Sequence, residues 1–92
     1  MSFAGNGSIG QAGTLESCDA QIIVEIEEGR EIDVTVEGPM KDIFEESLGE
    51  IAKRVLKELE IEGARVKIID RGALDYVLEA RIKAAALRAM QG

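Results

Sequence analysis

The sequence contains no histidine and no tryptophan, one cysteine, one proline and only three aromatic side chains among 92 residues. Histidine is the commonest general base near neutral pH and a frequent metal ligand, so its absence argues against a serine–histidine hydrolase and against most metal sites. The single cysteine, Cys18, excludes an internal disulfide and favours a reducing, cytoplasmic setting. We therefore expect neither catalytic residues nor a metal site.

Long apolar segments and positive charge are also missing. No stretch approaches the roughly 20 apolar residues that a membrane span requires, and the N-terminus lacks the basic start and apolar segment of a signal peptide. The net charge of −7 argues against binding to nucleic acid or to an anionic membrane, and fits either solubility alone or docking on a basic protein surface. We expect partners to be proteins, with no nucleic acid and no membrane involved.

The apolar residues that are present follow two periods. Period two predicts strands at 20–27 and 31–37, joined at Gly29 as a β-hairpin with an acidic outer face, and a third strand at 64–69 with Arg65 and Lys67 outward. The helical period predicts helices at 42–60 and 73–90, with apolar faces that include Phe44 and Leu74 respectively. Glycine and serine dominate residues 1–13, which we expect to be a flexible leader before a domain of residues 14–92.

This order predicts an α+β fold: a two-layer ββαβα domain whose three-stranded sheet carries two helices on one face. The basic third strand should lie beside the acidic hairpin, because opposite charges on neighbouring strands attract. We expect it to pair antiparallel with the first strand, which would place the first strand at the centre of the sheet. A parallel pairing with the second strand is the alternative.

Two short motifs connect the sequence to a known family. Residues 12–19 read Ala-Gly-Thr-Leu-Glu-Ser-Cys-Asp, and residues 70–75 read Asp-Arg-Gly-Ala-Leu-Asp, followed by Leu-Glu-Ala-Arg at 78–81. Both resemble segments of the citrate lyase acyl carrier protein, the gamma subunit of citrate lyase, in the same order and at a similar separation. The resemblance extends over roughly residues 11 to 90.

The resemblance implies a covalent attachment site at Ser17. In that family the motif serine carries 2'-(5''-phosphoribosyl)-3'-dephospho-CoA, whose thiol holds acetyl and citryl groups while citrate is cleaved to acetate and oxaloacetate. It implies as partners an acyl-transferase subunit, a lyase subunit and the enzyme that attaches the arm. Glu16 and Asp19 would assist at the attachment site, and Arg71 would meet the phosphates of the arm.

Other interpretations remain for the same residues. The acyl carrier of malonate decarboxylase uses the same kind of arm, and an unmodified protein-interaction domain of similar fold would have the same strand and helix pattern. Without the resemblance, Ser17 would be an ordinary turn serine, Glu16 and Asp19 solvated loop carboxylates, and residues 70–72 a strand-to-helix turn.

Overall fold

The structure, a computed structural model, describes residues 8–91. Its elements in chain order are β1 (Ile9–Gly13), β2 (Ala20–Ile26), β3 (Ile32–Glu37), α1 (Lys41–Glu58), β4 (Ala64–Asp70) and α2 (Asp75–Gln91). The predicted α+β class with two helices is confirmed. The prediction of three strands is wrong, because the sheet has a fourth strand, β1, at its edge.

The four strands lie in the order β1-β2-β4-β3. β2 pairs antiparallel with β1 and with β4, so the first predicted strand does lie inside the sheet and does pair antiparallel with the third. β4 also pairs parallel with β3, so the alternative pairing is present as well. The unit β3-α1-β4 is therefore a βαβ crossover between adjacent strands.

The predicted β-hairpin is wrong, because β4 lies between the two strands that were expected to pair. The link after β2 crosses the start of β4, and two backbone hydrogen bonds hold it there: Glu27 N–H donates to Gly63 O at 3.0 Å, and Ala64 N–H donates to Glu31 O at 3.1 Å. A side chain at Gly63 would place its Cβ 2.6 Å from Gly29 O. Only glycine lets the link pass this close.

The added strand β1 occupies the last five residues of the expected flexible leader. It packs under α2 so closely that a Cβ at Gly10 would lie 2.0 Å from Ala85 O. Arg88 of α2 also donates from Nη1 to Gln11 O at 2.5 Å. Glycine in this segment therefore serves close packing between strand and helix, and residues 1–7 of the expected leader lie outside the described residues.

Both helices cover one face of the sheet and close an aliphatic core. Its largest fully buried members are Ile22, Val24, Val36, Leu56, Val66, Ile68, Leu78 and Ile82. On the opposite, solvated face Arg65 pairs with Glu27 at 2.8 Å and Lys67 pairs with Glu37 at 3.3 Å. The expectation that the basic third strand lies beside acidic strands is thus confirmed.

The helix starts differ from the predicted apolar faces. The first seven residues of α1, Lys41–Ser47, are all exposed, and the first buried residue is Leu48. Phe44 and Leu74, expected in the core, are 43% and 60% exposed. About 10 Å of α1 therefore precedes its first buried residue, at 1.5 Å per helical residue.

The sheet register places the loop that contains Ser17 at one end of the molecule. The link between β1 and β2 (residues 14–19, hereafter the serine loop) lies at the end where β4 finishes at Asp70 and where both helices begin. A groove of about 940 Å³, lined by Ile32, Lys53, Lys57 and Ile61 among others, lies beyond the opposite end of β2, roughly 20 Å away at 3.3 Å per strand residue. Within residues 8–91, neither helix is long and apolar enough to cross a membrane.

Candidate functional site

The serine loop contains a tight turn with Ser17 and Cys18 at its two central positions. Asp19 N–H donates to Glu16 O at 3.2 Å and closes the turn. Cys18 occupies the third position of the turn and has φ of 66°, in the left-handed region. Some tight turns require a positive φ at this position. Glycine or asparagine is the usual residue there, so a cysteine in this conformation stores backbone strain.

Backbone hydrogen bonds join the turn to Arg71, the residue that follows β4. Cys18 N–H donates to Arg71 O at 2.8 Å, and Arg71 N–H donates to Asp19 O at 2.9 Å. Two residues of the serine loop thus oppose one residue of the neighbouring segment, which is a β-bulge with its first residue in the left-handed region. The bulge continues the β2–β4 ladder beyond Ala20 and Asp70 and fixes the backbone immediately after Ser17.

The Asp19 carboxylate holds the inside of the loop together. Its Oδ2 accepts hydrogen bonds from Thr14 N–H at 3.2 Å and from Thr14 Oγ1 at 2.8 Å, and its Oδ1 accepts one from Ala20 N–H at 2.7 Å. Arg81 of α2 donates to both oxygens, from Nε to Oδ1 at 3.0 Å and from Nη2 to Oδ2 at 3.4 Å. The side chain of Asp19 is only 14% exposed.

These bonds change the acidity of the aspartate. The Arg81 guanidinium, the Thr14 hydroxyl and the Ala20 N–H all favour the ionised form, and they lower the pKa of Asp19 from its ordinary 3.8 to about 2. Asp19 therefore remains charged at any physiological pH. Because its oxygens already accept five bonds from the protein, its carboxylate is not available to contact a group attached nearby.

The structure brings the four predicted site residues to one end of the molecule but gives them different surroundings. Ser17 and Glu16 are exposed, and no hydrogen bond to Ser17 Oγ is found among residues 8–91. Arg71 is also exposed, and its guanidinium has no hydrogen bond or ion pair with another described residue. Asp19, in contrast, is a structural residue of the loop.

Two residues of this site had no role assigned from the sequence. Thr14 bridges Asp19 and the loop backbone, because its Oγ1 also accepts a bond from Glu16 N–H at 3.2 Å. Arg81 comes from the middle of α2, 62 positions after Asp19. Thr14 lies in the first motif that carries the resemblance and Arg81 lies in the second. Their place in these motifs was the signal in the sequence that could have indicated a role at the site.

The turn that follows β4 is itself preformed. Asp70 Oδ1 accepts hydrogen bonds from Gly72 N–H at 3.0 Å and from Ala73 N–H at 3.1 Å, so the side chain caps the segment that leads into α2. The serine loop therefore rests on a second ordered turn. Among the described residues, no group of three or more acidic or cysteine side chains is arranged to hold a metal ion.

The fit of a covalent group can be judged from these surroundings. A phosphodiester at Ser17 requires an exposed hydroxyl with no competing bond, which Ser17 has. Arg71, whose backbone bonds to Cys18 and Asp19, has an exposed guanidinium whose donors are unused among the described residues, and phosphate oxygens are suitable acceptors for such a group. The charge of Asp19 is neutralised by Arg81. The residues present therefore fit a phosphate-linked arm.

An exposed serine in a loop held by backbone hydrogen bonds suits a site at which a group is attached. A family model described as malonate decarboxylase delta subunit (MdcD), an acyl carrier protein, matches residues 8–89. The citrate lyase acyl carrier protein of Fusobacterium nucleatum is 43% identical over 84 residues, which cover 91% of this chain and 89% of that protein.

Two further relatives bear the same name. The citrate lyase acyl carrier protein of Haemophilus influenzae is 42% identical over 78 residues, covering 85% of this chain and 80% of the relative. That of Serratia proteamaculans is 37% identical over 78 residues, covering 85% and 76%. The chain therefore belongs to the family of acyl carrier proteins that includes those of citrate lyase.

Membership of this family confirms the predicted class of function. The chain is an acyl carrier, a non-catalytic protein that holds acyl groups on a covalently attached prosthetic group while other subunits perform the chemistry. The matched region, residues 8–89, includes β1, the serine loop and nearly all of α2. The match thus covers every element that builds the site.

Proposed function

We propose that this protein is the acyl carrier of a citrate lyase complex and that Ser17 is the attachment point of its prosthetic group. The observation that supports this most directly is the exposed hydroxyl of Ser17, which has no partner among the described residues and lies in a loop whose next two residues, Cys18 and Asp19, are bonded to Arg71 just after β4. The group would be 2'-(5''-phosphoribosyl)-3'-dephospho-CoA, which supplies a terminal thiol for acetyl and citryl thioesters.

The chain's own residues have positioning roles in this proposal. The bulge at Cys18 and the Asp19–Arg81 ion pair keep the base of the arm in one place, so that its mobility lies in the arm and not in the loop. Arg71 would bind phosphate oxygens close to the attachment point. Glu16, which is exposed beside Ser17, would be recognised by the enzyme that attaches the arm.

The proposed partners are an acyl-transferase subunit, a lyase subunit and the attaching enzyme. No side chain within residues 8–91 hydrogen-bonds to Ser17 Oγ, and in this proposal the separate enzyme activates the hydroxyl. The lone Cys18 fits a reducing, cytoplasmic setting for the complex. The carrier domain should include β1 as well as residues 14–92, because β1 packs closely under α2.

A second candidate is the acyl carrier of malonate decarboxylase, which the description of the matching family model favours. The curated relatives favour citrate lyase at 37–43% identity. Reconstitution distinguishes the two: the loaded protein should support citrate cleavage with citrate lyase subunits and should not support malonate decarboxylation with the subunits of the other complex.

The attachment site is tested by the intact mass and a peptide map of protein made together with the attaching enzymes of citrate lyase. We expect one added arm on the peptide that contains Ser17, and none in Ser17→Ala. Ser47→Ala is the matched control, because Ser47 is also exposed but lies in α1 and bonds to Phe44 O at 3.1 Å. An unmodified wild-type protein, in cells that modify a known carrier, would favour the unmodified interaction domain instead.

A further inference from the structure

Large exposed apolar side chains are concentrated at the end of the molecule that carries Ser17. Nine such side chains lie among the described residues. Three of them, Ile9, Leu87 and Met90, lie at the start of β1 or in the C-terminal half of α2, away from this end. The other six form what we name the apolar end: Leu15, Met40, Ile43, Phe44, Leu74 and Tyr76.

The topology explains why these residues share one end. Leu15 lies in the serine loop, Leu74 and Tyr76 at the start of α2, and the remaining three at the start of α1. α1 follows the last residue of β3, which pairs with Ile69, while α2 follows the end of β4. Both helices therefore begin at the end of the strands at which the serine loop lies.

The start of α1 is the least supported part of this end. None of the residues from Lys41 to Ser47 is buried, and the N-cap residue Met40 has no side-chain hydrogen bond to the helix. Ile43 is 66% exposed and Tyr76, on α2, is 71% exposed. Helical turns gain most of their stability from packing of an apolar face, yet here the apolar side chains point into solvent.

Single exposed apolar residues are common on protein surfaces, but a cluster beside a functional group marks an interaction site. The charge around the cluster indicates what binds there. Exposed carboxylates of the same segments are Glu16, Asp42, Glu45, Glu46 and Asp75, against only Lys41 and Arg71 as cations. A partner surface that is apolar at its centre and basic at its rim would complement both features.

We propose that the apolar end is the surface on which a catalytic subunit of the lyase docks when it receives the arm of Ser17. This inference rests on the proposed function, because an enzyme that takes up the arm must approach the end of the molecule from which the arm extends. The start of α1 and the start of α2 provide the contact, and Ser17 lies at its border. The occupant has an apolar patch surrounded by lysine and arginine.

The test measures binding of the arm-loaded protein to each isolated catalytic subunit by titration calorimetry. The double variant Ile43→Ser/Phe44→Ser should bind at least one of these subunits about tenfold more weakly or worse, as expected for two central apolar contacts. The matched control, Leu87→Ser/Met90→Ser, removes two exposed apolar side chains at the far end of α2 and should bind within about twofold of wild type.

Loading and binding are read separately, so the two proposals can fail separately. An unloaded wild type, seen by mass, contradicts the proposed function. A fully loaded double variant that binds both subunits as tightly as wild type overturns the docking surface alone. If only Ile43→Ser/Phe44→Ser failed to be loaded, the docking surface would also be overturned, since the apolar end would then serve the attaching enzyme.

A charge variant provides an independent measurement, because exposed residues can be changed without disturbing the core. Asp42→Lys/Glu46→Lys should weaken binding, and the difference from wild type should shrink as salt is raised from about 0.05 to 0.5 M. The circular dichroism spectra of all three double variants should match that of wild type. Unchanged binding of the charge variant at low salt would contradict the basic rim of the partner.

Discussion

Arg81 Nε lies 3.0 Å from Oδ1 of Asp19, and this contact joins the middle of α2 to the serine loop. The same helix holds β1 through Arg88, which donates to Gln11 O at 2.5 Å. α2 thus supports the strand before the loop and the loop itself. The position of Ser17 is set by a helix that is remote in sequence and not by the loop alone.

The hydrogen bonds and the ion pair of the Asp19 carboxylate predict that the folded domain loses stability in acid. A carboxyl whose pKa is lowered by folding contributes stability that is complete above its unfolded pKa and is lost as pH falls through its folded pKa. For Asp19 that window runs from about pH 4 to about pH 2. Urea unfolding measured from pH 6 to pH 2 should show this loss in wild type.

Asp19→Asn is the control for that titration, because it keeps the size of the side chain and removes the charge. The variant should be less stable than wild type at pH 6, and the difference should narrow as pH falls toward 2. Because the two proteins differ only at position 19, the pH dependence of the difference in their stability isolates Asp19. A difference that stays constant with pH would contradict the assigned cause.

Arg81→Ala should loosen the serine loop without unfolding the domain. The amides of Cys18 and Arg71 bond across the bulge, and both should exchange with solvent faster when Asp19 loses its main partner. We expect an increase of about fivefold, in the range of a partly exposed charged bond. Amides of the core strand β4, such as that of Ile68, serve as the internal reference in a hydrogen-exchange experiment and should change little.

The wrong β-hairpin shows what the alternation of apolar residues leaves out. Period two identified β2, β3 and β4 and assigned their buried faces, but it carries no information on which strands are neighbours. The charges on the outer face did indicate which strands are neighbours. A β2–β3 hairpin would have placed acidic side chains opposite one another, which is unfavourable, whereas β4 brings Arg65 and Lys67 between them.

The fourth strand was hidden by its composition. Residues 9–13 contain two glycines, and glycine-rich segments usually favour flexibility because ordering them costs entropy. Here Gly10 is required by its contact with α2, a constraint that only the packed helix reveals. For the site, the two motifs predicted the location of Ser17 and Arg71 at one end, but the bonds from Thr14 and Arg81 that occupy Asp19 depend on tertiary contacts.

Cys18→Gly should stabilise the protein by about 1 kcal/mol. The left-handed conformation costs a residue with a side chain roughly 1–2 kcal/mol, and glycine recovers most of this despite its larger entropy in the unfolded chain. The midpoint of thermal unfolding should therefore rise by about 4–8 °C for a domain of this size. Scanning calorimetry under reducing conditions measures the change without interference from disulfides between chains.

Cys18→Val is the opposing control. A β-branched residue is strongly disfavoured at positive φ, so this variant should unfold at a lower temperature than wild type. If glycine and valine at position 18 shifted the midpoint in the same direction, backbone strain would not be the property that distinguishes them.

Gly10→Ala and Gly49→Ala form a matched pair with opposite expected signs. A Cβ at Gly10 would lie 2.0 Å from Ala85 O and 2.4 Å from Ala89 N, and because both are backbone atoms, β1 or α2 must move. We expect a loss of about 2–3 kcal/mol, as for an overpacked interior. Gly49 lies inside α1, and an added Cβ would have no atom within 4 Å apart from its chain neighbours and the backbone of its own helix, so alanine there should stabilise the helix by about 1 kcal/mol. Urea denaturation of the two variants beside wild type measures both changes, and a stable Gly10→Ala protein would show that β1 does not pack under α2 as described.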